Sequence, residues 1–213
     1  MENAILNEEN DVPSRIARKT LARRGADYAS EVRRLLDAAL DVMRQNGTNS
    51  RARVADIVAT AGLSNDAFYR HFKSKDALVA ALLEDGAERL ARYVEHQMAK
   101  EREPADKVRR WVEGVLSQTQ PDIAATTLAV LWNGGSVGES SVFSRHSATV
   151  PLGALLHEPF ERLGSEDPAM DASLAAHAVV GKMSDYLWSA AAPTGEEVDR
   201  ITEFCLNAIT EPR

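Results

Sequence analysis

Apolar residues recur three and four positions apart along most of the chain, and no stretch alternates between apolar and polar residues as a half-buried strand does. The segment from Ser30 to Gly47, SEVRRLLDAALDVMRQNG, places its apolar side chains on one face of a helix. Near the other end of the chain, Thr194 and Glu197 have the spacing of a capping box at a helix start. The pattern predicts an all-α protein.

Glycine, proline and small polar residues divide this pattern into separate helices. Two short apolar segments, RARVADIVATAG and SNDAFYRHF, meet at a turn between Gly62 and Ser64, and a longer segment runs from Ser74 to about residue 101. Two long helices are expected at about 168–192 and 195–210. Three prolines suit the first turns of helices: Pro104, Pro121 and Pro168.

The two short segments have the plan of a helix-turn-helix, in which the second helix enters the major groove of DNA. Gly62 suits the left-handed or closely packed backbone that such a turn needs. Phe68 and Phe72 are four residues apart and share the inner face, whereas Tyr69 and Arg70 lie on other faces. An ordinary helical hairpin at a protein surface has the same outline, so this shape alone does not establish DNA binding.

The distribution of charge is a second indication. Residues 12–75 contain 13 Lys and Arg against 6 Asp and Glu, which gives +7, although the whole chain has a net charge of −7. A basic segment joined to an acidic body is typical of a protein with a polyanionic partner. A chance excess of solvated charge would give the same count, so charge by itself leaves both interpretations open.

Length and composition set the remaining limits. The chain has 213 residues, which is enough for one domain or two small ones. Cys205 is the only cysteine, so an internal disulfide is excluded and a reducing compartment fits. Because the sequence contains neither a signal peptide nor roughly 20 consecutive apolar residues, we expect a cytoplasmic protein with no membrane partner.

The segment DIVATAGLSNDAFYRHFKSKDAL resembles the signature of the TetR (tetracycline repressor) family, which reads Ile-Ala-x-x-Ala-Gly-Val-Ser-x-Gly-Thr-Leu-Tyr-x-His-Phe-x-x-Lys-x-x-Leu. Asp66, Ala67 and Phe68 depart from this signature, because they stand where the family often has Gly, Thr and Leu. Without a hydroxyl at position 67, the DNA contacts of a relative cannot simply be transferred. The matching residues are Ile57, Ala61, Gly62, Ser64, Tyr69, Phe72, Lys75 and Leu78.

The resemblance covers about residues 30–80 and implies a three-helix DNA-binding domain of the helix-turn-helix type at residues 29–78. A basic N-terminal arm at residues 1–28 would precede it, and a helical ligand-binding and dimerisation domain at residues 79–213 would follow. Within the helix-turn-helix domain, the residues expected to contact DNA are Arg51, Arg53, Ser64, Asn65, Asp66, Tyr69, Arg70, His71, Lys73 and Lys75.

The family does not require a basic arm, so this segment is interpreted from its own residues. Arg23 and Arg24 are expected to contact DNA, either along the phosphates or in the adjacent minor groove. A disordered tail with solvated charge is the alternative interpretation. The other basic residues of the arm are Arg15, Arg18 and Lys19.

The resemblance also implies a homodimer and a small-molecule pocket among the middle helices. The candidate dimer interface is the apolar stripe of the last helix: Val198, Ile201, Cys205 and Ile209. Each pocket candidate, taken alone, is more often a core residue than a ligand contact. The candidates for the pocket are Trp111, Trp132, Phe143, His146, His177, Met183, Tyr186 and Trp188.

Together these implications describe a ligand-responsive transcriptional regulator, most simply a repressor that a small molecule releases from a palindromic DNA operator. The alternative is a dimeric DNA-binding regulator that has no small-molecule ligand. Cofactors and metals are not expected, because the five histidines lack the spacing of metal ligands. The segment GGSVG at 134–138 matches the nucleophile elbow of hydrolases, but that mechanism needs a preceding strand, so we do not expect an enzyme.

Overall fold

The computed structural model describes residues 12–134 and 149–210, and nine helices account for most of them. A short 3-10 turn at Ser117–Thr119 joins two of these helices, and residues 149–154 are also helical. The described residues contain no strand, which confirms the all-α prediction. The helices are α1 (Val12–Asn46), α2 (Val54–Ala61), α3 (Asn65–His71), α4 (Lys75–Met98), α5 (Pro104–Leu116), α6 (Pro121–Gly134), α7 (His157–Arg162), α8 (Pro168–Trp188) and α9 (Gly195–Thr210).

Glycine and serine set the ends of the short helices as the sequence predicts. Gly62 follows α2 in the left-handed region, with a φ of 62°, and its N–H donates to the carbonyl of Ala59. Ser64 and Ser74 cap α3 and α4, because each hydroxyl accepts the N–H of the residue three positions later at 3.1 Å. These caps fix the turn between α2 and α3 and the start of α4.

The same chemistry sets the start of the last helix. The N–H of Thr194 donates to the carboxylate of Glu197 at 2.8 Å, and the N–H of Glu197 donates to the hydroxyl of Thr194 at 3.2 Å. The predicted capping box is therefore confirmed.

A first hydrophobic core lies among α1, α2, α3 and the start of α4. Its fully buried members include Leu35, Met43, Ile57, Phe68 and Leu78. A second core lies among the end of α4 and the helices α5 to α9, around side chains such as those of Trp111 and Phe160. Helices α4 and α6 contribute residues to both cores, so each of the two helices links the N-terminal and C-terminal parts of the chain.

Helix α1 is much longer than the sequence pattern indicates. The apolar periodicity begins near Ser30, but the helix begins at Val12 and continues for 35 residues. The basic segment at residues 12–28 is therefore the first half of α1, not a separate irregular tail. Its helical form was missed because it has no apolar stripe like the one that marks the second half of α1.

None of the described helices has the length and apolar character that a membrane span requires. The GGSVG segment lies outside the described residues after Gly134, which is the last residue of α6.

Candidate nucleic-acid interface

Helix α3 has one face in the N-terminal core and one face in solvent. Ala67 and Phe68 are buried on the inner side, and Phe72, directly after the helix, is buried with them. The predicted DNA contacts Asn65, Asp66, Tyr69 and Arg70 are all exposed, and so is the capping residue Ser64. The polar side of this short helix is therefore open to a ligand as large as a DNA duplex.

A small polar cluster joins the end of α3 to the middle of α1. The carboxylate of Glu31 lies 2.7 Å from Nε2 of His71 and 3.2 Å from a guanidinium nitrogen of Arg70. The ring of Tyr28 meets the ring of His71 edge-on, with their centroids 4.1 Å apart. The hydrogen bond from His71 and the charge of Arg70 together lower the pKa of Glu31, against the opposing effect of partial burial.

His71 is not at the surface, where the sequence interpretation placed it. Its side chain has no exposed surface, and its Nδ1 atom is buried without a hydrogen-bond partner among the described residues. The sequence interpretation treated His71 as a surface residue facing DNA. In the structure this ring instead packs against α1, so only Arg70 of the pair is open to DNA.

Arg34 is a structural residue of the turn that sequence reasoning missed. Its guanidinium donates to the carbonyls of Ala61 and Gly62, at 2.5 and 3.2 Å. A Cβ at Gly62 would lie 3.2 Å from this guanidinium, a tight contact, and the positive φ at this position is what favours glycine there. The spacing along the sequence gave no signal for this contact, because the partners are 27 and 28 positions apart.

The other predicted DNA contacts of the domain lie at two helix starts. Arg51 and Arg53 are exposed on either side of the buried Ala52, just before α2. Lys73 is exposed and Lys75 is half-buried at the start of α4, where free backbone N–H groups favour an anion such as phosphate.

The first half of α1 adds a second basic surface. Arg18, Lys19, Arg23 and Arg24 are exposed there, and the side chain of Arg15 is outside the described set. Residues 12–30 extend over about 28 Å at the rise of an α-helix. This length corresponds to almost one turn of duplex DNA.

The pocket candidates that the structure describes are divided between the C-terminal core and the surface. Trp111 is fully buried in the C-terminal core, where its Nε1 donates to the carbonyl of Leu152 at 2.8 Å. Met183 and Tyr186 are buried in the same core, whereas His177 is exposed. Two further candidates, Phe143 and His146, lie outside the described residues. The remaining two, Trp132 and Trp188, have ring centroids 6.1 Å apart, and Trp188 is mostly exposed.

The predicted interface stripe of α9 faces the interior of the protomer. Cys205 is fully buried, and desolvation raises the pKa of its thiol to about 12. Val198, Ile201 and Ile209 are partly buried against the C-terminal core. Cys205 therefore cannot meet a second copy while the fold is intact, and the other three have only part of their surface available.

Other apolar residues of the last two helices are exposed. They are Met170, Leu174 and Trp188 of α8 and Phe204 of α9. Between these helices lies an open groove of about 500 Å³. It is lined by Ala178, Val179, Lys182, Tyr186, Glu197, Arg200, Ile201 and Phe204.

Known proteins match the chain in the region that contains the exposed face of α3. Residues 35–82 match the family model described as bacterial regulatory proteins, tetR family, from the second half of α1 to the start of α4. This part of the chain is therefore similar to the tetR family of bacterial regulatory proteins. No match to the chain exists among the curated proteins.

Solved structures of regulators share the fold of this chain. A transcriptional regulator from Rhodococcus sp. Rha1 is 19% identical, with a TM-score of 0.62 over 84% of this chain and 95% of its own. RolR in complex with the ligand resorcinol is 15% identical, with a TM-score of 0.65 over 87% of this chain and 90% of its own. The fatty acid degradation regulator FadR from Bacillus halodurans is 16% identical, with a TM-score of 0.62 over 85% of this chain and 97% of its own.

Proposed function

We propose that this chain is a TetR-family transcriptional regulator that binds a near-palindromic DNA operator as a homodimer, with helix α3 of each copy in the major groove. The observation that supports this most directly is the exposed polar face of α3, with Tyr69 and Arg70 at its centre. Two copies related by a two-fold axis would present two such faces to successive major grooves, about 34 Å apart or a multiple of it.

Within this site, Arg70 would contact base edges and Lys75 would contact phosphate. Arg70 lies on the exposed face of α3, whereas Lys75 lies at the start of α4, where its ammonium group adds to the free N–H groups of the helix. The arginines before α2, Arg51 and Arg53, would contact the backbone of the same groove.

A pair of variants tests these roles on two duplexes: one selected by the wild-type protein from a random pool, and one of random sequence. Arg70→Ala should weaken binding to the selected duplex by about 1–3 kcal/mol and relax its base preference, while Lys75→Ala should weaken both duplexes about equally. Arg92→Ala is the control, because this exposed arginine lies far along α4 and pairs with Glu88. Wild-type binding by both test variants would reject this assignment of the recognition surface.

The dimer surface that we propose consists of the exposed apolar residues of α8 and α9, including Leu174 and Phe204. Exposed apolar residues on neighbouring helices favour association, and homodimers are typical of the TetR family. Phe204→Glu should convert the dimer to a monomer in sedimentation experiments and abolish tight operator binding. Ile123→Glu is the matched control, since Ile123 is an exposed apolar residue of α6. A dimer of normal affinity for Phe204→Glu would place the interface elsewhere.

We also propose that a small molecule lowers the affinity of the regulator for its operator. The support is likeness alone: RolR, which shares the fold, binds resorcinol. The usual coupling between two such sites is about 1–3 kcal/mol, and DNA must weaken ligand binding by the same factor. Calorimetry of resorcinol and other small aromatic candidates, each with and without operator, measures this coupling. If every ligand that binds does so equally well in both states, the alternative of a regulator without an effector replaces this proposal.

A further inference from the structure

Asn133 is a fully buried polar residue that bridges two distant parts of the chain. The backbone N–H of Ala52 donates to its Oδ1 at 3.0 Å, across 81 positions of sequence. Its Nδ2 donates to the carbonyl of Ala129, one turn earlier in α6, at 2.9 Å. The two partners fix the orientation of the amide, because a backbone N–H can face only the oxygen and a carbonyl can face only the nitrogen.

The helix that carries Asn133 is held by both cores. Ala124, Leu128 and Leu131 pack against the C-terminal core. Ala129 and Val130 belong to the N-terminal core. The last residue of the helix, Gly134, is close-packed as well, since a Cβ there would lie 3.2 Å from a methyl carbon of Leu83. Asn133 therefore lies on a helix whose position is fixed by its packing.

The partner of Asn133 lies between two of the proposed DNA contacts. Ala52 is buried, whereas Arg51 and Arg53 on either side of it are exposed. The segment has no regular structure, because α2 begins only at Val54. Arg53 precedes α2 as its N-cap residue but makes no side-chain cap hydrogen bond. The carbonyl of Arg53 accepts the N–H groups of Asp56 and Ile57 at the start of α2, and the bond from Ala52 to Asn133 is a second fixed point, just before that helix.

We propose that Asn133 is a positioning residue for DNA binding, which holds Ala52 so that Arg51 and Arg53 face the phosphate backbone. This inference rests on the proposed function, because it assigns a role to those two arginines on DNA. Leucine at position 133 has the same branched shape, with bulkier methyl groups, but cannot accept the N–H of Ala52. That N–H would then be buried without a partner, a state that proteins avoid, so the segment would move to regain one.

A double-mutant cycle tests the proposal by joining Asn133→Leu with the paired substitution Arg51→Ala and Arg53→Ala. DNA affinity is measured under conditions in which circular dichroism shows that every variant is folded. In the wild-type background, Asn133→Leu should weaken DNA binding by about 5- to 30-fold and flatten the salt dependence by about 0.9 per lost phosphate contact. In the background that lacks both arginines, the same change should alter affinity by less than about 2-fold. An equal loss in both backgrounds, or no loss in either, would overturn the proposal.

A matched control and a second variant complete the experiment. Thr202→Val alters a buried polar residue whose hydroxyl donates only within its own helix, to the carbonyl of Val198. It should lower stability and leave the DNA affinity unchanged. If Asn133→Leu does not fold, Asn133→Ala removes the same acceptor without added bulk, and the cycle is run with that variant.

Amide hydrogen exchange at Ala52 separates failure of the inference from failure of the proposed function. Exchange at Ala52 should be faster in Asn133→Leu than in the wild type, while exchange in the middle of α5 stays the same. If exchange at Ala52 is faster in Asn133→Leu but DNA binding does not depend on Arg51 and Arg53, the positioning role and the proposed contacts of these two arginines are both overturned. The proposed DNA contacts of α3 would remain. Unchanged exchange would mean that Asn133 does not hold the segment at all.

Discussion

The two halves of helix α1 share a helical backbone but differ in the burial of their side chains. In the second half, Leu35, Ala39 and Met43 are fully buried and form part of the N-terminal core. In the first half, residues 12–30, every side chain that the structure describes is exposed except the half-buried Thr20. The second half is stabilised by burial, whereas the first half has no core to join.

This difference shows how a helix can extend beyond its packing. Forming the first turn of a helix is unfavourable, but adding residues to an existing helix is not. The second half supplies a helix that packing has already formed, and alanine, arginine and lysine in the first half have good helical propensity. Apart from Tyr28, which contacts the ring of His71, the described side chains of the first half belong to neither core, and their exposed surface is therefore available for binding.

The largest expected difference between the two halves is in stability. Leu35→Ala should lower the free energy of unfolding by about 2–5 kcal/mol, because it removes a fully buried side chain and leaves a cavity. Leu21→Ala is the matched change in the first half, and it should alter stability by no more than about 0.5 kcal/mol, since Leu21 is mostly exposed. Urea denaturation measures both. Similar losses would mean that the first half packs against something in solution.

The second expected difference is in DNA binding. Replacing both Arg23 and Arg24 by alanine should flatten the slope of log affinity against log salt by about 1.8, if each arginine neutralises one phosphate. Arg44→Ala is the control at the other end of the same helix, where Arg44 pairs with Asp41 at 2.9 Å. It should leave the slope as it is. An unchanged slope for the double variant would show that Arg23 and Arg24 do not neutralise phosphate.

The smallest expected effect is at the junction of the two halves, where Glu31 binds His71 and Arg70. The folded state lowers the pKa of Glu31, so this carboxylate stabilises the fold above its unfolded pKa, near 4.5. That contribution is lost as the pH falls through the lower, folded value. The difference in unfolding free energy between wild type and Glu31→Gln should therefore be largest near pH 7 and should shrink below pH 4.5.

Urea titrations at pH 7 and in acid measure this difference. Glu88→Gln is the control, because Glu88 pairs with Arg92 on an exposed helix surface and such pairs contribute little. If the difference in unfolding free energy between wild type and Glu31→Gln stays constant with pH, the carboxylate of Glu31 is ruled out as the stabilising group.

Sequence reasoning succeeded where a local signal sets the structure. Gly62, Ser64 and Ser74 each act on neighbouring backbone groups, so the turn between α2 and α3 and the start of α4 could be predicted from the residue types. The start of α1 could not, because its first half has no apolar stripe and is helical only as a continuation of the second half.

Contacts between distant segments account for the rest. The sequence presents His71 as a polar residue beside Arg70, and only the approach of Tyr28 and Glu31 from α1 encloses it. The apolar stripe through Cys205 was correctly placed on one face of α9, but its pattern does not say whether a second copy or the same chain covers that face. In the structure, most of that face packs against the C-terminal core of the same protomer.

The enclosure of Cys205 has a practical consequence for spectroscopy on this protein. The chain has no other cysteine, and this thiol is both inaccessible and protonated at neutral pH. Maleimide dyes and spin labels therefore have no reactive target in the folded wild type. A single cysteine introduced on the exposed surface, for example by Ser30→Cys where the two halves of α1 meet, would carry the only label. The separation between the two labels of the proposed dimer could then be measured directly on DNA without removing the native cysteine.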